Sequence, residues 1–499
     1  MPLDSVGTND IEKTTISHDE CNYANSTRSL SPEHYDYLMQ RHGTVDLDPL
    51  PSSDPNDPLN WPNWQKNYEI LSIAFGTFTS TFMASGMQPS YEAMAEKYGV
   101  SISDASYFTS VQICVFGILP LVWIPLMNTY GRKPFLTVGA LFCCALNIGG
   151  GFCQTYGQQM ATRVLNAVFI STVTSAGGSV VGDLAFAHER GKKNGWWSLG
   201  FVLGTPGGSF ITGFIQYHAG TRWVFWVFAI MNFIQFLLWI VSRETVYSRG
   251  CPDTIHINYI GIRKSSARPF SWFMFIRPLK HASSFNITMA VIAASVTFCY
   301  GNIVLSVEMP QVMISLFHLN AQQMSLQFIS LIIGSVIGEI IAGPLSDWWM
   351  KRCTAKRNGR RVIVDRLWLT YDGYLLVIVG LIVWGVYLTK ATPNHWSIKP
   401  LVGAAITAAG NNKIATVITT FAIDNDPKHA GEVSVYINLV RSLFGFIGPF
   451  YFPSMFENLG FAGSAGLMCG LVFLFGGCTT LIVHFCGWRR ERQYEKSIK

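Results

Sequence analysis

The chain has 499 residues, of which 49% are hydrophobic and only 13% charged, with a mean hydropathy of +0.27. So few charges cannot solvate the surface of a soluble protein this large, which excludes a water-soluble globular enzyme and turns the apolar surface toward lipid. The net charge of +6 gathers in short loops between apolar runs, so it is not the footprint of a nucleic-acid-binding face, and no nucleic-acid partner is expected.

Residues 1–66 are polar and lack the short apolar core of a signal peptide, and they read as a mostly disordered N-terminal tail. Twelve apolar runs follow, over 68–88, 106–127, 134–153, 160–181, 194–217, 222–241, 285–307, 322–342, 371–388, 396–420, 433–455 and 461–485. Each is long enough to cross a bilayer as a helix, which predicts an all-α integral membrane protein. The basic residues alternate with these runs: Arg132 and Lys133, Arg190 to Lys193, Arg243 to Lys280, Lys351 to Arg361, and a basic tail over 488–499. By the positive-inside rule both termini are cytoplasmic, as an even number of spans requires, and the plasma membrane is the expected location.

The polar stretch 243–284 divides the chain into two six-helix bundles, 67–242 and 285–487, and short echoes between the halves suggest a duplication. Pro-Leu followed by a polar or acidic residue and then basic ones recurs after spans two and eight, at 125–133 and 344–352. Asp183 to Gly191 after span four pairs with Asp424 to Gly431 after span ten. Two facing bundles of this kind create a midplane site between them, the geometry of a carrier that rocks between inward-open and outward-open states. The 11 cysteines are scattered without metal-ligand spacing, and no P-loop, HExxH or GxSxG pattern occurs. No cofactor, metal or enzymatic chemistry is expected, and energy must come from an ion gradient or from the substrate's own gradient.

The segments Asn128-Thr129-Tyr130-Gly131-Arg132-Lys133-Pro134, Arg163-Val164-Leu165-Asn166, Gly182-Asp183 with Glu189-Arg190-Gly191-Lys192, and Arg243-Glu244-Thr245 together resemble the major facilitator superfamily. DPNDPLNWPNW at 54–64 and the segment Gly431 to Arg441 resemble the fungal branch of its twelve-span drug:proton antiporters. The resemblance implies two pseudo-symmetric six-helix bundles and a monomer that moves a small molecule together with protons across the lipid bilayer. It also implies a gate latch formed by Asn128, Gly131, Arg132, Asp183, Glu189 and Arg190, with Asp347 and Arg352 as the second-half counterparts. Asn128 stands where the family carries an acid, so that latch is expected to be weaker in the first half, whereas Asp347 keeps the acid in the second. In span five, Gly204 and Gly208 match a family repeat of glycine and proline, while Thr205 and Ser209 replace its usual prolines.

Charges inside a span each cost at least ~2.5 kcal/mol at the bilayer centre unless they face a cavity or a partner, so they mark candidate sites. Arg163 matches the family arginine associated with proton coupling. Glu308, at the end of span seven, is a candidate to carry the coupling proton or bind a cation. Glu339 is expected at a gate or helix end. Lys413, beside Asn411 and Asn412, is expected to pair with Glu308, Glu339 or an anionic part of the substrate, and Arg441 to face substrate or pair with an acid. Asn438, Tyr300 and Gln112 complete the expected substrate cavity. These features point to a secondary active carrier working by alternating access with proton coupling as its energy source, and the family resemblance implies efflux of drug-like compounds or a secondary metabolite. Uptake of polyamines or other organic cations is the alternative, and a non-transporting sensor is a third reading.

Overall fold

The computed structural model describes residues 31–45, 47–247, 271–357, 362–392, 395–426 and 429–498. Parts of two basic loops, 248–270 and 358–361, lie outside the described residues. Among the described residues every regular element is helical.

Of the expected tail, residues 1–30 lie outside the described residues, whereas 31–45 and 47–66 hold a defined structure. Helix α1 (Pro32–His42) starts on a Ser31 cap and ends at Gly43. The DPNDPLNWPNW segment folds on itself: Asp57 accepts from the backbone of Ser52 and Leu59, and the Asn60 amide donates to the carbonyls of Ser52 and Asp54. Arg41 donates to the Asn60 carbonyl at 2.6 Å, which ties α1 to this knot. Trp61 joins a buried cluster with Ile70, Met127, Leu184 and Trp239, so the knot is the base of the first bundle.

The first half contains α2 (Asn63–Ser85), the short α3 (Tyr91–Tyr98), α4 (Ile102–Ile118), α5 (Pro120–Tyr130), α6 (Lys133–Gly150), α7 (Tyr156–Leu184), α8 (Ala187–Ala219) and α9 (Thr221–Val241). Pro120 has no N–H to continue the helix, and α4 and α5 form one span bent by 46°. The second half contains α10 (Phe285–Phe298), a π-helical stretch (Cys299–Glu308), α11 (Met309–Phe317), α12 (Ala321–Lys356), α13 (Trp368–Thr389), α14 (Lys399–Asn425), α15 (Ala430–Leu471), a second π-helical stretch (Val472–Cys478) and α16 (Thr479–Ile498). The apolar stretch Ala430–Arg489 is 60 residues long. At 1.5 Å per residue it would run about 90 Å, three times a hydrocarbon core. Gly460, with φ 66°, breaks it into two spans, which brings the total to twelve.

Outward faces repeat large apolar residues at helical spacing, such as Ile333, Ile337 and Ile340 on α12 and Ile230, Phe233 and Leu237 on α9, all exposed. In water such a surface would aggregate; in a bilayer it is the lipid contact. The halves meet along two seams, α4 against α15 and α8 against α12, which the pseudo-twofold interchanges. Each seam is joined by a side chain of the second half donating to a backbone carbonyl of the first: Asn438 to Phe116 at 2.8 Å, and Ser325 to Ser209 at 3.0 Å. α16 continues as helix to Ile498, where a tail was expected to begin at residue 488.

Gly204 and Gly208 pack α8 against α2 of the same bundle. A Cβ on Gly208 would sit 2.4 Å from the Phe82 carbonyl oxygen, and one on Gly204 would sit 2.6 Å from that of Phe78. Small residues four apart allow this close approach, and neighbouring backbone cannot yield as a flexible side chain would. Gly208→Val is therefore expected to lower the thermal melting temperature of the detergent-purified protein and reduce its monodisperse yield, whereas the same change at Gly182, with open space around its Cβ position, leaves both near native values.

Candidate functional site

Charged groups are arranged in three layers along the spans. The first lies at the face that carries the α1 knot. Gly131, with φ 94°, turns the chain between α5 and α6, and the backbone N–H groups of Arg132 and Lys133 both donate to the Glu244 carboxylate at 3.0 Å. An anion at the start of α6 also gains from the helix dipole, a contribution of about 1 kcal/mol. Arg132 pairs with Asp183 at the end of α7 at 2.5 Å and donates to Thr245 at 3.1 Å. Asp183 belongs to the first bundle, and Glu244 and Thr245 directly follow its last helix, α9, so the motif braces this one bundle. Asn128, where the family acid was expected, is exposed, and Glu244 supplies the acid in this loop.

The second half repeats the brace. Arg366, just before α13, lies 3.3 Å from Asp424 at the end of α14 and donates to Ser346 at 3.0 Å. Arg366–Asp424 thus corresponds to Arg132–Asp183. Asp347 is exposed and 3.9 Å from Arg366, while Arg352 lies over the ring of Trp348 on its own helix. Glu189 pairs with Lys193 one turn on, at 2.6 Å. The Arg190 side chain lies outside the described residues.

The second layer lies toward the opposite face. Arg163, on α7, is 2% exposed, and none of its guanidinium nitrogens has a hydrogen-bond partner. It rests instead over the rings of Phe225 and Phe228 on α9, at 5.1 and 5.4 Å. Glu308, in the other half, is 1% exposed at the junction of the π-helical stretch and α11. One of its oxygens accepts from Gln311 at 3.1 Å and the other has no partner. Tyr91 on α3 donates to Thr109 on α4 at 2.7 Å.

The third layer is the seam. Arg441, on α15, donates to Asn438, and its guanidinium lies 5.0 Å from the ring of Phe298 and 5.7 Å from that of Phe201 in the first half. Glu339 on α12 accepts from Ser198 of α8 at 2.8 Å and from Thr416 of α14 at 3.2 Å, joining the halves at the other seam. Tyr300 accepts from Tyr451 at 2.9 Å. Gln112, buried on α4, and Asn412, half-buried on α14, each keep an unpartnered amide nitrogen.

Lys413 takes a partner absent from the sequence expectation. It forms an ion pair with Asp372 on α13, within its own bundle, so neither Glu308 nor Glu339 is its counterion. Asp372 falls inside the run 371–388, one residue from its start, and was not singled out from the sequence. Arg366 was likewise overlooked, although it stands before span nine as Arg132 stands before span three, and Glu244 was quoted within a family motif without a role.

A family model described as Major Facilitator Superfamily matches residues 73–449. The chain belongs to the major facilitator superfamily. It is 25% identical over 452 residues to the efflux pump vrtL of Penicillium aethiopicum, covering 87% of this chain and 88% of that protein. It is 26% identical over 400 residues to the probable efflux pump mfs2 of Aspergillus flavus, covering 77% and 93% respectively. The fold is shared with the xylose transporter XylE of Escherichia coli, at a TM-score of 0.58 and 15% identity over 86% of this chain and 98% of that one. The protein is thus a multi-pass membrane carrier, a secondary transporter of small molecules.

The Lys413–Asp372 pair is asymmetric, because Lys413 is 7% exposed at its side chain and Asp372 is 55% exposed. Removing the acid strands a buried cation, at about 3 kcal/mol, whereas removing the lysine leaves an acid that water can reach, at under about 1 kcal/mol. Asp372→Asn is expected to lower the melting temperature of the purified carrier more than Lys413→Met does, with the double variant recovering most of the loss; equal losses from the two single changes would contradict this assignment.

Proposed function

We propose that this carrier is a proton-coupled exporter of small drug-like molecules or secondary metabolites, working by alternating access. It lies in the plasma membrane with the α1-bearing face toward the cytoplasm. The observation that carries the reading is the pair of buried groups Arg163 and Glu308, one in each half, neither having an ionic partner among the described residues. The similarity to the efflux pumps of Penicillium aethiopicum and Aspergillus flavus over most of each chain supports the direction.

The coupling follows from charge and dielectric. Moving a proton onto or off Glu308 changes the charge of this layer by one unit, and a low-dielectric interior makes that unit expensive. The change is least costly where the halves rearrange to admit water or bring Arg163 toward the carboxylate. Proton loading then favours one arrangement of the bundles and proton release the other. Substrate bound at the seam is exposed first on one side and then on the other. The paired braces Arg132–Asp183 and Arg366–Asp424 keep each bundle rigid while this happens.

Uphill flux in proteoliposomes under an imposed pH gradient tests the reading with a panel of drug-like compounds. Movement opposite to the protons is expected; movement in the same direction would replace export with uptake. Arg163→Ala and Glu308→Gln are each expected to abolish accumulation against a gradient while retaining substrate exchange at equal concentrations. Undiminished uphill flux in both variants would remove the pair from the mechanism.

A further inference from the structure

Arg441 has no role in the proton-coupling layer, yet it is the charged group on the seam between the two halves that lacks an acid. Of the five N–H donors of a guanidinium, one is used, to Asn438 at 3.0 Å. Nε is buried without a partner, and Nη1 makes no hydrogen bond among the described residues. The acids of the second-half spans are engaged elsewhere: Glu308 with Gln311, Glu339 with Ser198 and Thr416, and Asp372 with Lys413. A cation left without an anion inside a membrane protein is a standing cost, and such residues are kept where a ligand supplies the missing charge.

The surroundings define that ligand further. Phe298 belongs to the second half and Phe201 to the first, and both present rings to the guanidinium. Asn438 is itself fixed by donating to the Phe116 carbonyl at 2.8 Å, so the partner that orients Arg441 is anchored across the seam. We propose that Arg441 binds the anionic group of an aromatic organic acid, a carboxylate or phenolate, whose ring packs beside Phe201 and Phe298. A ligand held there touches both bundles at once, as an alternating-access carrier requires of its substrate. This inference deepens the export reading by naming the substrate class and rests on it for the identity of the site.

The test is binding to the purified full-length carrier in detergent, by calorimetry and thermal shift, with 2-naphthoate, 2-naphthamide and 2-naphthylmethylammonium as probes. 2-Naphthoate is expected to bind at least about tenfold more tightly than the amide, as for a charge-assisted hydrogen bond set against a neutral one. Arg441→Gln should erase that preference. Arg441→Lys, which keeps the charge without the planar fork, should retain part of it and serves as the readout if the glutamine variant does not fold. Equal affinity for naphthoate and naphthamide, no binding of naphthoate, preference for the ammonium probe, or a naphthoate preference that survives Arg441→Gln would each overturn the proposal. Binding in detergent needs neither a gradient nor a direction, so these outcomes are separate from the failure of proton-driven export, which the Arg163 and Glu308 variants report.

Discussion

Hydrocarbon solvates neither the peptide group nor an ion, and that constraint shapes every part of this protein. The backbone answers it by remaining helical through each described span, with breaks at Pro120, the two π-helical stretches and Gly460. The charges answer it in two ways. Some are neutralised within a bundle: Arg132 by Asp183, Arg366 by Asp424, Lys413 by Asp372, while Glu69 accepts from Ser242 and from the backbone of Arg243. Others, Arg163, Glu308, Glu339 and Arg441, have no ionic partner among the described residues; Glu339 and Arg441 lie where the halves meet, and Arg163 and Glu308 are buried one in each half. Most charges of the first set are thus paired within one bundle, and the second set stays without a counter-charge among the described residues.

The pseudo-twofold organises the first set. The two seams exchange under it, as do the arginine–aspartate braces at one end of each bundle. The symmetry is broken where function enters. The first span of the first half is an uninterrupted helix, whereas its counterpart, span seven, contains ten π-helical residues that end on Glu308. Gly301 within that stretch packs on Asn411 of α14, so the wide turn is seated by the neighbouring helix. In the first half Glu244 caps the start of α6; in the second, Asp365 pairs with Arg357 at 2.9 Å. Two copies of one scaffold thus carry different side-chain contacts at corresponding places.

The glycines of α8 have a structural meaning that bears on mechanism. They let α8 and α2 lie backbone against backbone, and Ser209 on the same helix donates to Gln88 at 2.6 Å and to the Ser85 carbonyl at 3.0 Å. Helix α8 also carries Phe201 and Ser198 to the seams. A rigid α2–α8 pair therefore moves the Phe201 wall and the Glu339 contact together when the halves rock. The replacement of the usual prolines by Thr205 and Ser209 leaves this packing intact.

Length, composition and the spacing of apolar runs determined, from the sequence alone, that the chain is a twelve-span helical membrane protein, because a span is a local property set by twenty consecutive side chains. The ordered motifs around Gly131, Arg163, Asp183 and Glu244 were enough to recognise the superfamily. Partnership was not legible. Nothing local shows that Lys413 is neutralised by Asp372, 41 residues away, that Glu244 rather than residue 128 supplies the acid at α6, or that Arg366 repeats Arg132. Nor does it show that Arg441 meets rings from both halves. Those facts depend on which helices touch and how each is rotated about its axis, and helices in lipid are rotated by packing with distant segments, not by their own apolar content.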